Sequence, residues 1–151
     1  VDAHGMVALA VGRRWRQSYN GGANWRDVTP EGRRVTHPKV TVGRICRYVY
    51  SGGMFSGDFY ASRGPSRPFE RRALPASDVR VAVASPMNGR EVWIGTWGRG
   101  IFRSRDAGQT WEDMGLQGVQ CRSLTVDWRR RRVYAGSSSL MAHRGIWRRD
   151  F

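Results

Sequence analysis

Apolar and polar positions along this chain alternate in short runs. "VRVAVASP", "EVWIGTW", "GIFRSR" and "TWEDMG" follow one another between Val79 and Gly115. Each is rich in β-branched or aromatic residues, often alternates with a period of two, and is cut off by Gly, Pro, Asn or Asp. The pattern predicts four successive strands and no helix. The same plan recurs elsewhere. "YVYSGGMFSGDFYAS" (48–62), "VWIGTWGRGIFRS" (92–104) and "VYAGSSSLMAHRGIWRR" (133–149) each place a small-residue turn between two alternating runs, and "MVALAVGRRWRQS" (6–18) is a shorter version.

After these hairpins come three octets that run from a serine to an aromatic: "SYNGGANW" (18–25), "SRGPSRPF" (62–69) and "SRDAGQTW" (104–111). Their serines lie 44 and 42 residues apart. Helical repeats of similar length would show 3.6-residue periodicity. Four short strands in about 40–45 residues is instead the size of one β-propeller blade. The expected fold is therefore all-β, with blades of four antiparallel strands and about three and a half blades in this chain of 151 residues, a partial propeller. The expected blades are 1–32, 33–75, 76–117 and 118–151. The first would open at the end of a strand at Val1–Ala3, and the last would stop at Phe151, where its own octet would start.

"SRDAGQTW" with its two preceding strands resembles an Asp-box (BNR) repeat, Ser-x-Asp-x-Gly-x-Thr-Trp. Ser104, Asp106, Gly108, Thr110 and Trp111 match every fixed position. The first octet keeps Ser18, Gly22 and Trp25 but has Asn20 and Asn24 for Asp and Thr; the second keeps only Ser62 and puts Phe69 at the Trp place. The family includes sialidases, xyloglucan-cleaving glycosidases, sortilin-type receptors and photosystem II assembly factors, so the resemblance implies a fold more than a function. It implies that the octet is the turn between the third and fourth strands of a blade. Such a turn is closed by an Asp that accepts backbone N–H bonds and by a Gly at positive φ, with Trp111 packing between blades. Catalysis by Asp106 is disfavoured. So is a calcium loop, which would need further oxygens at alternate positions and a terminal Glu.

The resemblance places the ligand face at the opposite ends of the strands. That selects the turns 52–58, 96–100 and 137–145, with the links 29–38 and 71–78. Their binding candidates are Met54, Phe55, Trp97, Arg99, His143 and Arg144. Apolar and basic loop residues suit partner recognition; Trp97 and Phe55 fit equally well as residues lining a central channel. Glu31, Asp58 and Asp78 are the carboxylates on that face, and no acid–nucleophile pair can be assigned among them.

Charge adds one feature. Lys and Arg number 26 against 12 acidic residues, a net +14, and Lys39 is the sole lysine. Arginine-biased coding and an anionic partner both fit. The run "DWRRRRVY" (127–134) carries no recognised nucleic-acid motif, so nucleic acid is disfavoured. Cys46 and Cys121, two cysteines without a CxxC or Cys/His cluster, offer no zinc site. No apolar run reaches membrane-span length. We expect no cofactor and no metal, and the reading points away from an enzyme. The expected function is a non-catalytic Asp-box propeller segment that binds or scaffolds proteins in a larger assembly. A glycan-active or glycan-binding propeller is the alternative. An open stack of blades leaves apolar faces and edges uncovered. The expected partners are therefore proteins, or a second copy completing the propeller, with an anionic surface as a further candidate. The family resemblance alone favours a periplasmic or secreted location.

Overall fold

A computed structural model describes residues 7–11, 14–18, 20–30, 38–52, 57–64, 67–138 and 144–151. Every regular element among them is a strand. β1 (Val7–Val11), β2 (Arg14–Ser18) and β3 (Arg26–Asp27) form one antiparallel sheet. β4 (Lys39–Val42), β5 (Cys46–Gly52), β6 (Gly57–Arg63) and β7 (Glu70–Arg72) form a second. β8 (Val79–Ala84), β9 (Val92–Arg99), β10 (Ile101–Ser104) and β11 (Glu112–Asp113) occupy the four runs read from the sequence. β12 (Gln117–Asp127), β13 (Arg132–Ser138) and β14 (Arg144–Asp150) follow.

The third and fourth groups join into one seven-stranded sheet. β12 is the reason. Its first residues pair with the end of β9 (Gln117 with Arg99, Gln120 with Trp97), and after a register shift the remainder pairs with β13. Because β12 offers hydrogen-bond partners there, β9 runs on to Arg99, and the segment expected as the turn 96–100 is mostly strand. The same extension sets Cys121 inside β12. The two strands approach closely at Gly95, where an added Cβ would lie 2.4 Å from the Cys121 sulfur.

Hairpin register repeats between the sheets. Tyr60 faces Val49, Phe102 faces Ile94, and Trp147 faces Ala135. Stacking these like units builds three cores in series. Trp15, Val49, Tyr60 and Phe69 lie between the first two sheets. Tyr48, Phe59, Val92, Ile94 and Phe102 belong to the second core. Trp93, Ile101, Met114, Val133 and Ala135 belong to the third.

One contact recurs. The aromatic that ends an octet packs edge-on against the residue three places before the preceding octet's serine. Phe69 meets Trp15 at 5.4 Å and 87°, and Trp111 meets Phe59 at 5.4 Å and 81°. Such pairs add about 0.5–1.5 kcal/mol to the area they bury. Trp25, which ends the first octet, is 41% exposed. Both thiols are buried and unpaired, and burial pushes Cys121 up to about 11 and raises Cys46 as well.

Chemical denaturation checks the weight of the recurring contact. Phe59→Ala is expected to cost about 3–4 kcal/mol, as for a large side chain removed from a packed core. Trp25→Ala should stay within about 0.5 kcal/mol.

Candidate functional site

The octets and the candidate ligand face sit at opposite ends of the strands. β10 leaves the turn after Trp97 at Ile101 and reaches the third octet at Ser104, a span of about 10 Å. Backbone bonds sort the other connections. Ala107 N–H donates to the Arg90 carbonyl at 2.8 Å, which sets the β8–β9 turn beside the octet. Trp97 N–H donates to the Asp78 carbonyl at 3.1 Å, which sets the link before β8 at the Trp97 end.

At the octet end, Asp106 gathers its own turn. Its Oδ1 accepts from the Ser104 hydroxyl at 2.8 Å and from the N–H groups of Gln109 and Thr110 at 2.9 Å each. Its Oδ2 accepts from the Thr110 hydroxyl at 2.6 Å. The Ser104 oxygen in turn accepts from Gly108 N–H at 2.7 Å. Gly108 has φ +81°, and a Cβ there would press on the Phe59 ring at 3.1 Å. The carboxylate therefore meets donors of its own octet. Partial burial works to raise its pKa, but the Thr110, Ser104 and Gln109 hydrogen bonds outweigh it and hold Asp106 at about 2. Trp111 donates its indole N–H to the Ala73 carbonyl at 2.9 Å, across the sheet boundary.

The first octet uses the same scheme with one oxygen fewer. Asn20 Oδ1 accepts from the Ser18 hydroxyl at 3.1 Å and from Asn24 N–H at 2.8 Å, while the Ser18 oxygen accepts from Gly22 N–H at 2.8 Å. In the second octet, which lacks an acid, the Ser62 hydroxyl donates to the Arg67 carbonyl at 2.7 Å. Phe69 there is buried.

At the other end the side chains are cationic and aromatic. The Arg80 and Arg122 guanidinium carbons lie 4.6 and 4.5 Å from the Trp97 ring centroid. Arg80 comes from β8, Trp97 from β9 and Arg122 from β12, so three strands converge on one indole. Arg99 is exposed beside them, and Lys39 Nζ donates to the Arg80 carbonyl at 2.8 Å. Among the described residues none of these four cations forms an ion pair, and Arg80 Nε–H, buried, finds no acceptor. The charge is therefore held by the indole and not neutralised by an acid.

Met54, Phe55, His143 and Glu31 lie outside the described residues. Arg144 opens β14, opposite Ser138. Asp58 is tied to Arg71 at 3.0 Å. Asp78, at φ +69°, has a buried Oδ1 with no hydrogen-bond partner among the described residues. The sequence reading names Trp97 and Arg99 as candidates but not Arg80 and Arg122, which the structure brings to the same indole. The signal was present as arginines inside otherwise alternating strands, in "VRVAV" and "VQCRSL".

The arginine run is knitted into its own turn. Arg130 pairs with Asp127 at 3.1 Å, Arg132 with Asp150 at 3.1 Å, and Arg131 donates to the Phe151 carbonyl at 2.5 Å. Among the described residues no helix is long and apolar enough to cross a membrane.

No protein-family profile matches the chain. It is similar to an oligoxyloglucan-reducing end-specific xyloglucanase of Emericella nidulans, with 28% identity over 144 residues, covering 85% of this chain and 17% of that enzyme. Its structure is similar to the GH74 xyloglucanase of Xanthomonas campestris, with a TM-score of 0.64, 18% identity, and coverage of 89% of this chain and 26% of that one. It is also similar to YCF48 bound to a D1 peptide, with a TM-score of 0.59, 17% identity, and coverage of 86% and 42%. The chain thus spans less than half the length of each. These likenesses and the antiparallel sheets establish an all-β, partial β-propeller fold.

Asp106→Ala removes a charged acceptor of several local bonds and should cost about 2 kcal/mol. The pKa of Asp106 in the folded protein lies below the ordinary aspartate value of 3.8. Its stabilisation is therefore complete above about 3.8 and fades as pH falls towards about 2. Urea titrations at pH 7 and near pH 2 should show the wild-type and Asp106→Ala stabilities converging in acid.

Proposed function

We propose that this chain is a non-catalytic propeller module whose octets are Asp-box turns, and that it binds an anionic polypeptide segment of a protein partner through the Trp97 face. The observation that carries the proposal is the Arg80–Trp97–Arg122 cluster, three strands converging on cations that form no ion pair among the described residues. Trp and Arg are the side chains most often found at the energetic centre of interfaces. Preset guanidiniums offer planar, charge-assisted hydrogen bonds to carboxylates. A propeller of similar fold, YCF48, has been solved with a peptide bound, which supports polypeptide as a ligand class for this architecture.

Three groups have separate roles in the proposal. Trp97 is the apolar anchor and holds Arg80 and Arg122 in place. Those two and Arg99 supply the positive field. The octets at the far end fix the turns that keep the strands in register.

The similarity to xyloglucan-active enzymes favours a second reading, a glycan-binding or glycan-active propeller using Asp58 and Asp78. Asp58 is engaged by Arg71, which leaves Asp78 as the freer carboxylate.

Acidic peptides should bind the chain with affinity that falls as salt rises. Trp97→Ala and Arg122→Ala should each weaken that binding by about tenfold, measured by fluorescence anisotropy. Xyloglucan oligosaccharides should be neither cleaved nor bound in the same buffers. Hydrolysis abolished by Asp78→Asn would replace this reading with the glycosidase one.

A further inference from the structure

A polar cavity of about 420 Å³ opens at the octet end of the strands, between the second and third octets. Ala61, Arg63, Arg67, Glu70, Arg72 and Gln109 line it. Its size falls within the ~300–1,000 Å³ of small-molecule pockets. The octet register shows what is special about it. Counted from the octet serines, Arg63 stands where the third unit has Arg105, and Arg67 where it has Gln109. Glu70 stands where it has Glu112, and Arg72 where it has Met114. At these four places the second unit therefore carries three cations and one acid, whereas the third carries one of each.

The missing acid of the second octet shapes the site. Gly64 takes the place of Asp106, so the turn brings no carboxylate of its own to the arginines. Ser62, donating its hydroxyl to the Arg67 carbonyl at 2.7 Å, fixes the backbone at Arg67 instead. The ion pairing is rearranged as well. In the third unit Arg105 pairs with Glu112 at 3.7 Å. In the second, Glu70 pairs with Arg72 at 2.7 Å, and Arg63 reaches across to donate to the Asp106 carbonyl at 3.1 Å. Gln109 donates its side-chain N–H to that same carbonyl at 3.0 Å. Two pocket side chains, one from each unit, are thus anchored on one oxygen. Among the described residues Arg63 and Arg67 form no ion pair, and the buried Nε–H of Arg72 finds no acceptor.

We infer that this pocket binds a phosphoryl group, carried by a small polar monoester or as the free ion. Three arginines against one glutamate leave the lining at +2. That matches the charge of about −1.5 to −2 on a phosphate monoester at pH 7. Three guanidiniums from three chain positions suit a tetrahedral group with three terminal oxygens, whereas one guanidinium fork satisfies a planar carboxylate. Every lining residue except Ala61 is polar, so the remainder of the ligand would be hydrophilic and not an acyl chain or an aromatic ring. The pocket lies at the opposite end of the strands from Trp97 and stands whether or not that face binds its proposed ligand.

Isothermal titration of the full chain tests this with glucose 6-phosphate, inorganic phosphate and acetate, at constant ionic strength with chloride as the balancing anion. Both phosphate probes should bind saturably, and acetate at least ~10-fold more weakly. Tighter binding of the ester assigns the pocket to a monoester; equal or tighter binding of inorganic phosphate assigns it to the free ion, and either result supports a phosphoryl site. Arg63→Ala and Arg67→Ala remove exposed side chains and should each weaken phosphate binding by ~10-fold. Arg105→Ala removes the same charge from the corresponding place in the third octet and should leave binding unchanged. If Arg63→Ala also lowers the melting temperature, through its lost contact with Asp106, Arg67→Ala decides. The inference is overturned if neither phosphate probe saturates, if acetate binds as tightly, or if Arg67→Ala binds phosphate undiminished. It is also overturned if Arg105→Ala weakens binding as much as Arg67→Ala, since binding would then follow the net charge of +14 and not the pocket.

Discussion

The edge-on aromatic contact between successive sheets is the constraint on which the rest of this structure depends. An isolated sheet of three or four short strands buries too little to stand alone. The first two sheets are each closed on their apolar face by an aromatic from the next one. Phe69 does this for Trp15, and Trp111 does it for Phe59. The octet exists to deliver that aromatic. Asp106 ties Ser104, Gln109 and Thr110 into one rigid turn, so Trp111 leaves it in a set direction. Gly108, at positive φ, lets the turn lie against Phe59, where a Cβ would press on the ring. Chemistry that looks like an acidic site is thus spent on aiming an indole. A carboxylate held near pH 2 by its own turn makes a poor proton donor or base at neutral pH.

That fastening also determines where recognition can occur. With the octets and the β8–β9 turn at one end, the opposite end is left to the links and to the β9–β10 turn. There β12 has a second effect. By crossing from β9 to β13 it draws Trp97 out of a free turn and into a paired strand, and brings Arg122 over the ring. A loop tryptophan would lose conformational freedom on binding; this one is already held by its backbone pairing and by two guanidiniums. Preorganisation of this kind lowers the entropy cost of association.

Much of this was legible in the sequence because the repeat obeys local rules. The period-two runs from Val79 to Gly115 marked β8 to β11, and the octet serines gave the register that the hairpins follow. β12 could not be read in the same way. Its span depends on hydrogen-bond partners from β9, which are near in space but distant in sequence, and on Gly95 allowing Cys121 close approach. Arg80 and Arg122 stayed hidden for a related reason. Each is an ordinary polar position in an alternating strand, and only the fold brings both to Trp97. The worn second octet shows the limit in the other direction. Ser62 closes its turn by donating to the Arg67 carbonyl, so the aromatic at Phe69 arrives in place without the acid that made the motif readable.

The excess of positive charge shows how the fold sorts its arginines. With 26 basic and 12 acidic residues, most cations must find something other than a carboxylate. One deeply buried guanidinium keeps an acid: Arg103, 4% exposed, pairs with Glu91 at 2.6 Å and also lies over Trp93 and Phe151. A lone charge at that depth would cost several kcal/mol. Nearer the surface, main-chain carbonyls suffice, as for Lys39 on Arg80, Arg63 on Asp106 and Arg131 on Phe151. At Trp97, among the described residues, the ring holds two cations that form no ion pair. An indole face attracts a guanidinium without cancelling its net charge. Of the three solutions, this one leaves the positive field available to an anionic ligand, and it occurs at the end of the strands that the octets leave open.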